Sequence, residues 1–479
     1  MTLRQPYGRT ELHFMYPASY DHESLISDPI HGYIDFTASR SAGDITEQNL
    51  VDHPWVQRLR RIHQLQSAWW VYPSAEHTRF QHVVGAMHLA GRMVSQLYPS
   101  LCQACATDRV PSQAYVVTLA RISALVHDVG HGPYGHFFDD HFLGPMGLTH
   151  EDVGQHIIRT ELADLIRGIR GNPNGAIPAH EILQPEHVAY LIKRPAAVEE
   201  AVPSWLRLLR SIFAGVYTVD NMDFVLRDSY MAGHGPRAFD LDRLLHYSFF
   251  TPEGLALHTK GLTALLHFME ARGELFRTLY FHRTVRAIDL TLADLFPATM
   301  KILFPFNPME HLPEYRDLTE WSLLVEVHRW RTDPDREKHR LGEAWQAVLD
   351  RKLHWKMACE RTIRFDQGQS ELASIFTDAE LVEKRVRRFL PANLQNLSFR
   401  ADVARHYHRP ISPATARLNF IYEPAIGKLR NLSEHEQFSR LPVSFSLCRL
   451  YARDHASDGE LASALDRLLQ AQGDEKTNM

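Results

Sequence analysis

PSQAYVVTLARISALVHDVGHGPYGH, residues 111–136, ends an apolar run in a cluster of histidine, aspartate and glycine. Val116, Val117, Leu119, Ala120, Ile122, Leu125 and Val126 are apolar on more than one face of a 3.6-residue period, which predicts a helix buried on most sides. Gly130, Gly132 and Pro133 cannot sustain that helix and expose its end. His127 and Asp128 fall in its last turn. A buried His-Asp pair can simply satisfy itself by hydrogen bonding. The spacing of His127 and His131 points elsewhere: positions i and i+4 share a helix face, so two imidazoles and a carboxylate are offered to one volume, a donor set suited to a borderline divalent metal. His136 stands close behind.

Working outward, the segment that enters a helix near Thr78 carries Phe80, Val83, Val84, Met87, Ala90 and Val94 as its buried stripe. Arg79 and His82 share a face there, and the guanidinium is expected to keep His82 neutral, the state a metal ligand needs. Downstream, GVYTVDNMDFVLRDSYMAG (215–233) reads as a helix with Asp220, Asn221, Asp223 and Asp228; its apolar residues leave no fully solvated face, and Asp220 is the best-placed further ligand. NLVDHPWVQRLRRIHQLQ (49–66) reads as one helix with Asp52 as N-cap and Pro54 in the first turn. Its other face carries Gln57, Arg58, Arg60 and Arg61, either solvated charge or an anion-binding surface.

Composition narrows the function classes. The chain has 479 residues, 44% hydrophobic and 23% charged, enough for two or three domains with a sizeable core. A net charge of −5 gives no basic field of the kind that draws in a polynucleotide, so nucleic acid is not an expected partner. No run of about 18 apolar residues and no signal-peptide layout occurs, which predicts a cytoplasmic protein without a membrane. Four cysteines argue against a disulfide framework, and the Cys102/Cys105 pair lacks a second pair for zinc. No phosphate-binding glycine loop or nucleophile-elbow motif is present.

Along the chain, residues 1–24 form a lead-in, 27–37 a small hairpin or extended arm, and 255–300 helices carrying Arg272, Tyr280 and His282. FPFNPMEHLPEY breaks the pattern with three prolines, so a boundary is placed there. Helices are expected near 317–331 and 336–361, β-like runs within 397–454, a last helix at ELASALDRLLQAQ and a disordered tail, GDEKTNM. The expected units are 1–24, 25–303 and 304–479, and the fold is mainly α with a smaller α+β C-terminal lobe.

His82, His127-Asp128 and Asp220 together resemble the ligand set of the HD-domain metal-dependent phosphohydrolases. SDPIHGYI, DHPWVQRLRRIHQL, YPSAEHTRFQH, ALVHDVGHGPYGH, THEDVG, VDNMDFVLRD and LYFHRTV resemble, in order, successive motifs of the dNTP triphosphohydrolases of the sterile-alpha-motif/HD type, over roughly residues 25–300. The resemblance implies an all-helical core; one divalent ion (Mg, Mn, Fe or Zn) on His82, His127, Asp128 and Asp220; and removal of the whole triphosphate from a deoxynucleotide. It implies His150 as general acid, with His131 and His136 supporting the phosphates. Arg79 holds the phosphate nearest the ion, and Arg272 is a further anion binder. Gln64 and Leu65 meet the sugar and base, Tyr280 lies against the sugar, and Asp228 supports it. A homo-oligomer, dimer or tetramer, is also implied.

Some positions depart from that pattern. Asn221 stands in place of a phosphate-binding lysine, Phe224 of a tyrosine and Phe276 of a histidine, which makes a shorter phosphate or a bulkier apolar substituent plausible. Asp52, Gln57 and Arg60 match a regulatory guanine-nucleotide site, but Ser24 replaces its lysine. The alternative functions are a nucleotidase or phosphodiesterase on the same ion, and a nucleotide-sensing protein without turnover.

Overall fold

A computed structural model describes residues 22–39, 43–193, 202–235, 237–365, 375–407, 419–439 and 444–476. The lead-in up to residue 21 and the last three residues lie outside them. The chain opens on a hairpin of β1 (Glu23–Asp28) and β2 (Gly32–Thr37), paired from Glu23 with Thr37 to Asp28 with Gly32. Gly32 supplies the positive φ, +76°, that closes the turn.

Three helices build the centre: α1 (Arg79–Ala104), α2 (Gln113–Val126) and α3 (His150–Thr160). Thr78 and Gln81 form a capping box at the start of α1. Every residue from Tyr115 to Val126 is buried, as the apolar run of α2 requires. Farther along come α4 (Val219–Met231), a hairpin of β3 (Ser248–Thr251) and β4 (Gly254–His258), then α5 (Leu262–Leu275) and α6 (Arg283–Leu303). The strand at 254–258 replaces helix expected from 255; it pairs in parallel with a later strand, β7 (Asn419–Glu423), whose other neighbour is β8 (Lys428–Asn431), and tertiary pairing overrides local pattern.

The helix expected over 49–66 is broken into Glu47–Val51, Pro54–Gln57 and a 3-10 turn at Arg58–Arg61. Asp52 caps the end of the first piece, and His53 is the N-cap of the second. Pro54 cannot donate to a continuous ladder. Arg58 explains the rest. It is fully buried and donates to the carbonyl oxygens of Val129, His131, Tyr315, Arg316 and Leu318, so it is neither solvated charge nor an anion surface.

Helices α7 (Leu312–Asp317), α8 (Glu320–Arg329) and α9 (Arg336–Leu349) pack into the same hydrophobic cluster as α1 and α2, through Tyr315, Leu323, Val327, Trp345 and Val348. The proline-rich segment therefore does not separate cores. The change comes after residue 349, where the helix expected to reach 361 stops and β5 (Lys356–Phe365) begins. With β6 (Phe399–Tyr407) and β9 (Ser444–Ala452) it forms an antiparallel sheet, β9 in the middle and buried throughout. Val382 and Val386 of α10 (Ala379–Arg387) and Leu461, Leu465 and Leu468 of α11 (Asp458–Lys476) build a second cluster against it. Helix α11 continues through Lys476, past the start of the expected tail. No described helix is long and apolar enough to cross a membrane, and all four cysteines are free.

Candidate metal centre and substrate cavity

Three helix ends converge. His82 lies in the first turn of α1, His127 caps the C-terminus of α2, and Asp220 lies in the first turn of α4, which starts where Thr218 Oγ1 accepts from the Asn221 amide. Candidate ligand atoms of His82, His127 and Asp220 all lie within 4.8 Å of one another. Asp220 Oδ1 is 3.0 Å from His82 Nε2 and 3.6 Å from His127 Nε2. Asp128 borders this group, its Oδ1 3.3 Å from His127 Nε2 and 3.4 Å from His131 Nε2.

The donor chemistry fits a divalent cation. His82 Nδ1 is 2.8 Å from Asp223 Oδ2, and His127 Nδ1 is 2.8 Å from the Ala124 carbonyl oxygen. Both partners only accept, so each ring keeps its Nδ1 proton and turns Nε2 to the shared centre. His82 Nε2 is buried and makes no hydrogen bond, although Asp220 is close. That leaves a buried nitrogen facing a carboxylate oxygen, where an ion would be held.

Electrostatics corrects one expectation. Burial works against a charged His82, but Asp220 and Asp223 outweigh it and push its pKa up to about 10. Arg79 does not hold it neutral, because its Nη1 turns to Asp128 Oδ2 at 2.7 Å. The neutralising effect falls instead on His131, whose pKa burial, Arg79 and His150 drive well down. Asp128 and Asp220 stay ionised: burial would raise both, and the neighbouring histidines, with Arg79 beside Asp128, reverse it.

The group opens on a cavity of about 670 Å³ lined by Gln64, Leu65, Arg79, His127, Asp128, His136, His150, Asp220, Asp228, Arg272 and Tyr280. Every expected substrate-side residue except His131 is on that wall. His131 lies just behind, its ring stacked on His150 at 3.6 Å between centroids. Arg272 is set deep, its Nε without a partner, which suits an anion. Tyr280 donates to Asp228 Oδ2 at 2.5 Å, and His77 Nε2 meets the other oxygen at 2.8 Å. Asn221, Phe224 and Phe276 line the same cavity. Asp52, Gln57 and Arg60 share a separate surface cleft with Arg61, Arg316 and Trp321. There Arg60 Nε donates to Gln57 Oε1 at 2.8 Å.

The sequence profile described as "HD domain" matches residues 79–196, the stretch that supplies His82, His127 and Asp128. Residues 79–196 thus carry an HD domain. Its HD domain sits in a longer region of similarity. An uncharacterized protein of Bacillus subtilis, YwfO, is 24% identical over 74% of this chain and 77% of its own. Deoxynucleoside triphosphate triphosphohydrolase SAMHD1 of Homo sapiens is 28% identical over 58% of this chain, and its Dictyostelium discoideum homolog 27% over 66%. The matches span 44% and 57% of those two proteins. In fold, a phosphohydrolase of Bacteroides thetaiotaomicron superposes over 90% of this chain and 100% of its own, at a TM-score of 0.64 and 20% identity.

Within the HD domain, Asp139, which no sequence pattern singles out, has its Oδ2 2.5 Å from His150 Nδ1 and 3.3 Å from His136 Nδ1. As an acceptor it fixes the Nδ1 proton of His150 and leaves Nε2 as its working nitrogen. His77, His31 and Asp223 also order the site, His77 through Asp228 and the other two behind His82. The signal for His31 was present: SDPIHG is a turn rich in polar residues beside an otherwise plain arm.

Proposed function

We propose that this HD-domain phosphohydrolase holds one divalent ion on His82, His127, Asp128 and Asp220 and hydrolyses deoxynucleoside triphosphates to deoxynucleoside and inorganic triphosphate. The observation that carries this reading is the inward-facing Nε2 pair beside two ionised carboxylates, opening on a cavity with Arg79 and the unpaired Arg272. The ion supplies positive charge that acidifies water and polarises a phosphorus-bound oxygen. Arg79 and Arg272 bind the anionic phosphates. His150, oriented by Asp139, gives a proton to the departing sugar 5′ oxygen as water adds to phosphorus. Tyr280 and Asp228 form a fixed wall for the sugar. Two named dNTP triphosphohydrolases among the relatives support the substrate class. The test is a product-resolved assay with Mn²⁺: inorganic triphosphate appears from at least one dNTP, and His127→Ala with Asp128→Ala abolishes it.

A second reading rests on Asn221, Phe224 and Phe276, which make part of the cavity wall amide or aromatic. Arg286 and Arg405 line the cavity elsewhere, but this part of the wall offers no cation, which favours a nucleotide with fewer phosphates, since each charge-assisted contact is worth about 1.5–3 kcal/mol. Orthophosphate released from monophosphates, with no triphosphate from any dNTP, would establish it.

A further inference from the structure

Asp223 lies behind the centre, on α4, one turn after Asp220. Its carboxylate is wholly buried and accepts four hydrogen bonds: from His31 Nε2 at 2.7 Å, His82 Nδ1 at 2.8 Å, Arg227 Nε at 3.0 Å and Arg227 Nη2 at 2.9 Å. That fills the acceptor capacity of a carboxylate. Arg227 continues to the first hairpin, donating from Nη1 to Asp28 Oδ2 at 2.8 Å. Asp28 Oδ1 in turn accepts the amides of Ile30 and His31, each at 2.9 Å, and so shapes the β1–β2 turn that aims His31 inward. The His31 side chain is 1% exposed.

We propose that His31 and Asp28 of the N-terminal hairpin, acting through Asp223 and Arg227, are positioning residues that fix the ring and tautomer of His82. The hairpin is thereby part of the metal centre although none of its side chains reaches the ion. Gly85, one turn after His82, supports this assignment. A Cβ there would overlap both Arg227 Nη2 and Asp223 Oδ1, so the helix is left bare where the relay passes. Two alternatives to a relay are poorly served by the geometry. His31 is not a filler satisfied by a nearby carbonyl, and Asp223 is not a surface acid of an amphipathic helix. His31 Nε2 bonds Asp223, and Asp223 in turn meets His82 at Nδ1, the ring nitrogen turned away from the candidate centre.

The inference rests on the metal reading above, and its test separates the two. Mn²⁺ binding to the full chain is measured by titration with detection of free Mn²⁺, alongside the melting temperature of the metal-free protein. Asp223→Asn, which cannot accept from all four donors, is expected to lower Mn²⁺ affinity by about 10–100-fold. His31→Phe keeps the ring volume, removes the donor, and is expected to lower it by at least fivefold with the metal-free melting temperature close to wild type. His31→Gln, whose amide can donate to Asp223, is expected to restore it. If Asp223→Asn does not fold, His31→Phe decides alone. Wild-type affinity in His31→Phe overturns the relay while leaving the metal centre standing, whereas a wild-type protein that binds no Mn²⁺ removes the metal reading itself.

Discussion

Arg79 donates from Nη1 to Asp128 Oδ2 at 2.7 Å, with both side chains about 5% exposed or less. One guanidinium thus holds a candidate ligand while lining the cavity. Removing one partner of a buried pair leaves an uncompensated charge and costs about 3–5 kcal/mol. Arg79→Ala is expected to lose that much stability by denaturant titration and to reduce phosphohydrolysis by at least 100-fold. Near-wild-type stability would mean that Asp128 is satisfied some other way.

Arg58 is the structural counterpart. Its five carbonyl acceptors join the loop after α2 to the segment around α7, and burial lowers its pKa to about 10. Arg58→Met removes all five contacts and strands buried carbonyl groups. The expected loss is about 3 kcal/mol or more, at about 1 kcal/mol or more for each group left unsatisfied and with partial relaxation. Equilibrium unfolding checks it; an unchanged midpoint would refute the role.

Helix α2 and the helix start near Thr78 are legible in the sequence because buried periodicity is a local signal, and His82, His127, Asp128 and Asp220 are legible through the ordered family motifs. The i, i+4 spacing of His127 and His131 misleads, because the helix ends at Val126 and His131 stacks on His150 instead. Arg58 was not legible. A fully buried arginine looks like surface charge until its carbonyl partners, more than 70 residues away, are known. The strand at 356–365 was hidden for a similar reason: it pairs with β9 across the C-terminal lobe, and its own pattern continues the preceding helix. Asp139 fell in a run of acids and aromatics without periodicity.

Metal loading depends on pH with a definite sign. In the metal-free protein His82 is raised from 6.5 to about 10, burial being outweighed by Asp220 and Asp223, and His127 is raised in the same direction. A folded-state pKa above the unfolded one adds stability that is fully present below pH 6.5 and is lost as pH climbs toward 10. An ion needs the unprotonated Nε2 and expels that proton. Mn²⁺ affinity is therefore expected to rise with pH across this window, by up to about tenfold per unit for each proton displaced. Isothermal titration at two pH values checks it; affinity that falls with pH would contradict the assignment of His82.

Gly130 approaches α3 so closely that a Cβ would overlap the His150 carbonyl oxygen, a backbone atom that cannot swing away. Gly130→Ala is expected to displace His150 from the cavity and cut kcat by at least tenfold, with a smaller change in KM. Steady-state kinetics on the folded variant would show it, and an unaltered kcat would argue against His150 as the acid.

Asn221→Lys places a cation on the cavity wall beside Asp220. It is expected to raise kcat/KM for dNTPs relative to the corresponding monophosphates by about tenfold, the size of one charge-assisted contact. An equal effect on both substrates would mean that the phosphate chain does not run along this wall.

The most direct measurement is the identity of the phosphate released from dNTPs by the Mn²⁺-loaded protein, resolved into triphosphate, pyrophosphate and orthophosphate. Inorganic triphosphate in equal amount to deoxynucleoside, lost in the His127→Ala, Asp128→Ala double variant, is the predicted result. Orthophosphate or pyrophosphate as the first product, or no turnover by protein shown to hold its metal, would contradict it.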